Sequence, residues 1–233
     1  MLPIAILAGG LGTRLRPITE TIPKALVEVR GEPFVAHQLR FLKENGLERV
    51  VICAGHLGEM IEEFVGDGRR FGLSVRYSHD GPVLRGTAGA LLHAASLLGE
   101  SFLVIYGDSY LPCQYRLVER AFLESGKEGL MTVFRNEGRF DRSNVEFAGG
   151  KIIAYDKPDR TPAMLHIDYG LGAFHARSLE RIRGRQFYDL ATFYQDLLRE
   201  GQLAGFEVTE RFYEVGSIEG IRGLTEHLRD KYH

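Results

Sequence analysis

Short runs of consecutive apolar residues alternate along this chain with segments whose apolar positions recur every three or four residues. Residues 3–8 are apolar throughout and end at Gly9-Gly10, the pattern of a parallel strand buried on both faces. Residues 33–45 place Phe34, Val35, His37, Gln38, Phe41 and Leu42 at helical spacing, with Pro33 suited to a helix start and Gly46 to its end. The same reading predicts strands at 49–54, 73–78 and 102–106, the last ending in Gly107-Asp108, and helices at 57–65 and 87–98. The helix at 87–98 is rich in Ala and Leu, with Thr87 as its expected N-cap.

Strands and helices in alternation imply a parallel sheet covered on both faces. The second half changes character. Residues 144–147 and 151–155 flank Gly149-Gly150, which is a hairpin signal, and helical patterns return at 178–182, 190–199 and 218–228. No repeat, low-complexity tract or linker interrupts the chain. The expectation is an α/β fold. It has a Rossmann-like, mostly parallel sheet with helices on both faces. A smaller antiparallel elaboration of the second half packs on that sheet, within one domain spanning 1–233.

Composition narrows the function classes. A chain of 233 residues buries enough surface to fold without disulfide or metal staples. Its net charge of −2 advertises neither a nucleic-acid nor a membrane partner, so any anion site must be a local cluster of Lys and Arg. Cys53 and Cys113 sit in or beside apolar runs without CxxC spacing, which fits small buried residues in a reducing compartment. The apolar N-terminus lacks a basic flank and is too short for a signal peptide or a span, so the expected location is cytoplasmic. The eight histidines show no zinc spacing, and no GxSxG elbow occurs.

The chemistry concentrates after the first strand, in Leu7-Ala8-Gly9-Gly10-Leu11-Gly12-Thr13-Arg14-Leu15-Arg16-Pro17. Glycines let backbone N–H groups approach an anion and form a concave nest for it. Arg14, Arg16 and Lys24 add positive charge within a few residues. A dinucleotide fingerprint fails because Leu15 stands at its third glycine, and a P-loop fails because no Gly-Lys-Ser/Thr follows. A plain tight turn is the bland alternative.

This segment, with Ile22-Pro23-Lys24-Ala25-Leu26, resembles the signature of the sugar-1-phosphate nucleotidylyltransferases, also called NDP-sugar pyrophosphorylases. Four later segments are similar to that family's motifs in the same order. Arg85-Gly86-Thr87-Ala88-Gly89-Ala90-Leu91 resembles the loop that contacts the nucleobase, and Tyr106-Gly107-Asp108-Ser109 the strand end that holds the metal. Tyr155-Asp156-Lys157-Pro158 resembles a sugar-phosphate segment, and Tyr213-Glu214-Val215-Gly216-Ser217 a second metal segment.

The resemblance implies transfer of a nucleotide from a nucleoside triphosphate to a sugar 1-phosphate, releasing pyrophosphate, with Mg²⁺ as cofactor. It implies catalytic roles for Arg14, Lys24 and Asp108, and a nucleotide cradle of Leu7, Ala8, Gly9, Gly10, Gly12, Thr13, Arg14, Gly86 and Thr87. Gly107, Asp156, Lys157, Asp168 and Gly170 are implied on the sugar-phosphate side, and Asp108 with Glu214 as metal ligands. Base selection is expected from backbone groups and a few side chains near 79–91. A monomer or small homo-oligomer is expected. The chain ends soon after the last motif, so the C-terminal β-helix of longer relatives is not expected.

The chain departs from the pattern where Glu214 replaces an aspartate, Asp156 replaces a glutamate, and Asp168-Tyr169-Gly170 replaces Asn-Ala-Gly. Residues 142–145 also lack the glycine often found before the hairpin. These departures leave the base and the sugar open. They also leave two alternatives. One is a nucleotide-sensing regulatory subunit with weak turnover. The other is CMP transfer to a non-sugar phosphate such as phosphocholine, with Tyr155, Tyr169 and Asp168 as a cage for the quaternary ammonium.

Overall fold

A computed structural model describes residues 1–81 and 83–231; Pro82, within the expected base-selecting segment, lies outside the described residues. The strands are β1 (Ile4–Ala8), β2 (Glu28–Val29), β3 (Glu32–Pro33), β4 (Arg49–Ala54), β5 (Ser74–His79), β6 (Ser101–Tyr106) and β7 (Ser109–Tyr110). They continue with β8 (Gly129–Arg135), β9 (Val145–Ala148), β10 (Lys151–Tyr155), β11 (His166–His175), β12 (Leu203–Val208) and β13 (Tyr213–Glu214). The helices are α1 (Phe34–Glu44), α2 (Gly58–Val65), α3 (Thr87–Leu98), α4 (Tyr115–Ser125), α5 (Leu190–Arg199) and α6 (Ile218–Lys231).

Alternation along the central strands explains the two covered faces. Ile4, Ile6, Val50, Ile52, Leu103 and Ile105 point into one core, with Phe34, Leu39, Ile61, Val118, Phe122 and Leu224 from α1, α2, α4 and α6. Ala5, Leu7, Val51, Cys53, Phe102 and Val104 point into the other, with Leu91, Leu98, Phe193 and Leu197 from α3 and α5. Side chains of successive strand residues project to opposite faces, so a strand apolar at every position needs two such cores.

The described residues form a nine-stranded sheet with the path β10-β9-β11-β6-β1-β4-β5, in which β8 joins β11 and β12. β1 pairs in parallel with β4 on one side and β6 on the other, and β4 pairs in parallel with β5. Strand order therefore reverses between β1 and β6. Crevices at the carboxyl ends of such strands, at the reversal, are where open α/β sheets bind ligands.

The second half differs from expectation. It does not stack on the first sheet but extends it edge-on, because β11 pairs antiparallel with β6 through Leu171 and Ile105. β8 pairs antiparallel with β11, whereas β12 pairs in parallel with β8. The segment expected as a helix at 178–182 is a 3-10 stretch, Ala176–Ile182. Thr87 is not the N-cap of α3. Gly86, at φ 73°, precedes the helix, and Thr87 Oγ1 instead accepts a hydrogen bond from Leu190 N at 2.7 Å. No helix among the described residues is long and apolar enough to cross a membrane.

Candidate active site

The glycine-rich loop leaves β1 at the strand-order reversal. Gly12, at φ 61°, turns the chain into a 3-10 turn, Thr13–Leu15, while its carbonyl accepts from Thr19 Oγ1 at 2.7 Å. Across the reversal, Gly107 follows β6. A Cβ there would lie 2.9 Å from Ala8 Cβ and 3.0 Å from Leu7 O, so the two strand ends approach only because this residue is glycine.

A cleft of about 270 Å³ opens above these strand ends. Of the expected nucleotide cradle, Leu7, Ala8, Gly9, Gly10, Gly12, Gly86 and Thr87 line it. Lys24, Gly107 and Asp108 line it as well. Thr13 and Arg14 are exposed and lie outside its wall.

Lys24 Nζ donates to Asp108 Oδ2 at 2.7 Å, with the two side chains 17% and 22% exposed. That pair joins the loop after β1 to the loop after β6. The two-residue ladder of β13 with β7 sets Glu214 opposite Ser109, and Val215 N donates to Asp108 O at 2.9 Å. Glu214 thus comes beside Asp108. Arg14 approaches from the same side: an added Cβ at Gly216 would lie 3.1 Å from Arg14 Nη2 and 3.5 Å from Lys24 Nζ. Two cations and two carboxylates from four segments therefore gather at one edge of the cleft, Lys24 and Asp108 on its wall and Arg14 and Glu214 just outside it.

Burial, and after it the Asp108 charge, pushes the Glu214 carboxyl up to about 7, while Arg14 and Lys24 pull it back. A carboxyl raised in the folded state favours folding most below its ordinary value, here 4.5, and that contribution is lost as pH rises through about 7. The metal-free protein is therefore expected to lose up to about 3 kcal/mol of stability relative to Glu214→Gln on going from about pH 5 to about pH 8. Chemical denaturation of both proteins at the two pH values checks it, and parallel curves would contradict it.

Of the expected sugar side, only Gly107 lines the cleft. Asp168 and Gly170 lie one strand further out, on β11, and Asp156 and Lys157 follow β10, beyond β9. Lys157 Nζ sits 5.9 Å over the ring of Tyr106, which lines the cleft, and Gly170 faces the same ring. Asp168 accepts from Tyr155 Oη at 3.3 Å and from Gly170 N at 3.1 Å. Burial raises its carboxyl above the ordinary value, and the Lys157 charge opposes that shift. Asp156 accepts from Gln195 Nε2 at 3.1 Å and from Asp159 N at 2.8 Å. Tyr155 and Tyr169 are buried on opposite faces of the sheet, in different cores, so they form no exposed cage with Asp168.

Asp80, which directly follows β5, and Leu84 stand on the cleft wall within the segment expected to select the base, although neither was singled out; Phe187 and Asp189 on the same wall were not anticipated. Phe187 and Asp189 come from the second half because that strand-free stretch is tied to the start of α3: Tyr188 O accepts from Ala88 N at 2.9 Å and Gly89 N at 3.1 Å. An acid directly after a strand was a readable signal for Asp80; Phe187 offered none. At Gly86 a Cβ would lie 2.6 Å from Tyr188 O, on a left-handed backbone. Gly86→Ala is therefore expected to destabilise the fold by about 1–3 kcal/mol, measured by thermal melting.

The comparisons with known proteins bear on this geometry. The nucleotidyl transferase family model matches residues 4–218. A mannose-1-phosphate guanylyltransferase catalytic subunit beta from Xenopus tropicalis is 30% identical over 237 residues, covering 97% of this chain and 66% of the frog protein. An N-acetylmuramate alpha-1-phosphate uridylyltransferase from Neisseria meningitidis is 42% identical over 104 residues, 44% of this chain and 45% of that one. The chain spans about 65% of the length of the curated relatives it matches nearly end to end. The crystal structure of a putative glucose-1-phosphate thymidylyltransferase from Bacillus anthracis shares the fold, with a TM-score of 0.86 at 22% identity over 99% of this chain and 96% of that one. With the family model running from the first strand to the start of the last helix, across every segment that builds the cleft, the chain belongs to the nucleotidyl transferase family.

Proposed function

We propose that this chain joins a nucleoside triphosphate to a sugar 1-phosphate, giving an NDP-sugar and pyrophosphate. The observation that carries the reading is the convergence of Lys24, Arg14, Asp108 and Glu214 on a glycine-lined cleft at the strand-order reversal. The relatives named above, which act on mannose and N-acetylmuramate 1-phosphates by their names, support a sugar 1-phosphate as the acceptor.

A phosphate oxygen of the sugar 1-phosphate attacks the α-phosphorus, and the bond to the β-phosphate breaks. The attacking oxygen is already anionic, so no general base is needed. The obstacle is the meeting of polyanions and the charge that develops on the leaving pyrophosphate, which calls for positioning and fixed positive charge. The loop from Gly9 to Thr13 offers N–H groups to the triphosphate, and Lys24 and Arg14 neutralise the leaving group. Lys157 receives the sugar phosphate, with Asp156 and Asp168 toward the sugar hydroxyls.

Asp108 and Glu214 fit Mg²⁺. They are hard oxygen donors brought side by side, with the charge of one raising the carboxyl of the other. Among the described residues no group of three or more His, Cys, Asp or Glu gathers as a metal site, and Mg²⁺ characteristically takes one or two carboxylates plus substrate phosphates. The dication would offset phosphate charge. Cys53 and Cys113 are buried and unpaired with each other, which suits a reducing cytoplasm.

The test is a matrix of five nucleoside triphosphates, including dTTP, against a panel of sugar 1-phosphates, read by pyrophosphate release. At least one pair should release pyrophosphate only when both substrates are present. Release from none of them, by folded protein supplied with Mg²⁺, would contradict the proposal. A regulatory subunit would bind nucleotide in the same assay without turnover.

A further inference from the structure

We propose that Asp80 reads the nucleobase and that the base it selects is guanine. The inference rests on the proposed function in taking the cleft to be the nucleotide's, and it names that nucleotide's class.

Asp80 follows β5 at its carboxyl end, held there as its N–H donates to Ala54 O at 2.9 Å. It is 6% exposed, yet it lines the cleft together with Gly9, Leu84, Gly86, Thr87 and Phe187. The neighbouring Arg85 bonds elsewhere: its Nε donates to the Asp80 backbone carbonyl, at 3.1 Å. Among the described residues the carboxylate oxygens themselves accept no hydrogen bond and form no ion pair. Oδ2 lies instead against Gly9, where an added Cβ would come within 3.2 Å of it.

The Asp80 oxygens are not among the fully enclosed unpartnered atoms of the described residues, so they open onto the cleft, partly desolvated and without a protein donor. Burial accordingly raises this carboxyl above the ordinary value, against the charges of Arg85, His93 and His79. An acceptor pair held unsatisfied on a cleft wall marks where a ligand brings donors.

Two carboxylate oxygens match two adjacent N–H donors. Guanine presents such an edge, with N1–H beside the N2 amino group. Uracil and thymine present one N–H between two carbonyl oxygens, which a carboxylate repels. Adenine and cytosine present an amino group beside a ring-nitrogen lone pair. The base faces find apolar surface in Leu84 and Phe187, which are 44% and 56% exposed at the cleft. A site built to bond a ligand's N–H groups rejects ligands lacking them strongly, because its buried polar group is then left unpaired.

The experiment is calorimetric binding of GTP, ITP, ATP, UTP, dTTP and CTP to the whole chain with Mg²⁺, for wild type and Asp80→Asn. ITP is GTP without the N2 amino group. In the wild type GTP should bind tightest, with ITP weaker by about tenfold or more. Asp80→Asn should weaken GTP by a similar factor and bring GTP and ITP to near-equal affinity. Equal binding of GTP and ITP by wild type, or UTP or dTTP binding as tightly as GTP, overturns the inference. If Asp80→Asn does not fold by circular dichroism, the GTP–ITP comparison on wild type decides alone. The two levels separate cleanly. Sugar-dependent pyrophosphate release that favours another base overturns the role of Asp80 and leaves the proposed function. Guanine-selective binding without turnover of any sugar 1-phosphate does the reverse.

Discussion

Lys24→Ala is expected to lower kcat by about 10²–10³-fold, roughly 3–4 kcal/mol of transition-state stabilisation. Charge grows on the leaving pyrophosphate as its bond to the α-phosphorus breaks. A cation aimed there is worth more in the transition state than in the ground state, so its removal appears in kcat. Lys24 is well placed for such an effect: it is largely withdrawn from solvent, lines the cleft and reaches Asp108 at 2.7 Å. The same change leaves the Asp108 carboxylate without its partner, so some stability is lost too. Rates are therefore to be measured well below the melting temperature of the variant. Arg14→Lys should also be impaired although charge is conserved, because lysine lacks the planar fork that grips two phosphate oxygens. Were both residues plain surface charges, each alanine variant would change stability by less than about 0.5 kcal/mol and leave the rate untouched. Steady-state kinetics on Lys24→Ala, with thermal melting as the folding control, distinguish the outcomes.

Asp108→Asn is expected to reduce turnover by about 10³-fold or more while the fold survives. The amide keeps the size of the side chain and an oxygen that can still accept from Lys24, so the geometry at the end of β6 is preserved. What is lost is one negative charge beside Glu214, and with it one of the two carboxylates proposed for Mg²⁺. EDTA should silence the wild type to a comparable degree. Activity of Asp108→Asn within tenfold of wild type, or full activity in EDTA, would remove the metal from this account.

Much of this was legible in the chain because the informative residues are local. Residues 3–8, 49–54 and 102–106 are apolar at every position, and strands of that kind must be central and covered on both faces. The loop from Gly9 to Arg14 and the pair Gly107-Asp108 follow two of those strands directly, so placing the strands placed the loops. β12 was not readable in the same way. Ala204, Gly205 and Glu207 give it no clear alternation, and it becomes a strand by pairing with β8 from a remote part of the chain. Helix α4 does carry Tyr115, Val118 and Phe122 at helical spacing, although no helix was predicted there. The site divides similarly. Lys24 and Asp108 stand in contiguous motifs, whereas Asp80 is a single acid whose meaning depends on Gly9 having no side chain. Phe187 reaches the cleft only because Tyr188 is bonded to the start of α3.

The central claim is that the bond broken lies between the α- and β-phosphates of the triphosphate and the bond made joins its α-phosphorus to a sugar phosphate. Phosphorus NMR of a reaction carried to completion with the best substrate pair from the matrix reads both bonds at once. The account predicts an NDP-sugar diphosphate signal and free pyrophosphate in equal amounts, with the pyrophosphate absent when the sugar 1-phosphate is omitted. Inorganic phosphate with a nucleoside diphosphate would mean that the γ-phosphoryl group is transferred to water, and pyrophosphate with free nucleoside monophosphate that water takes the nucleotidyl group; either would contradict it.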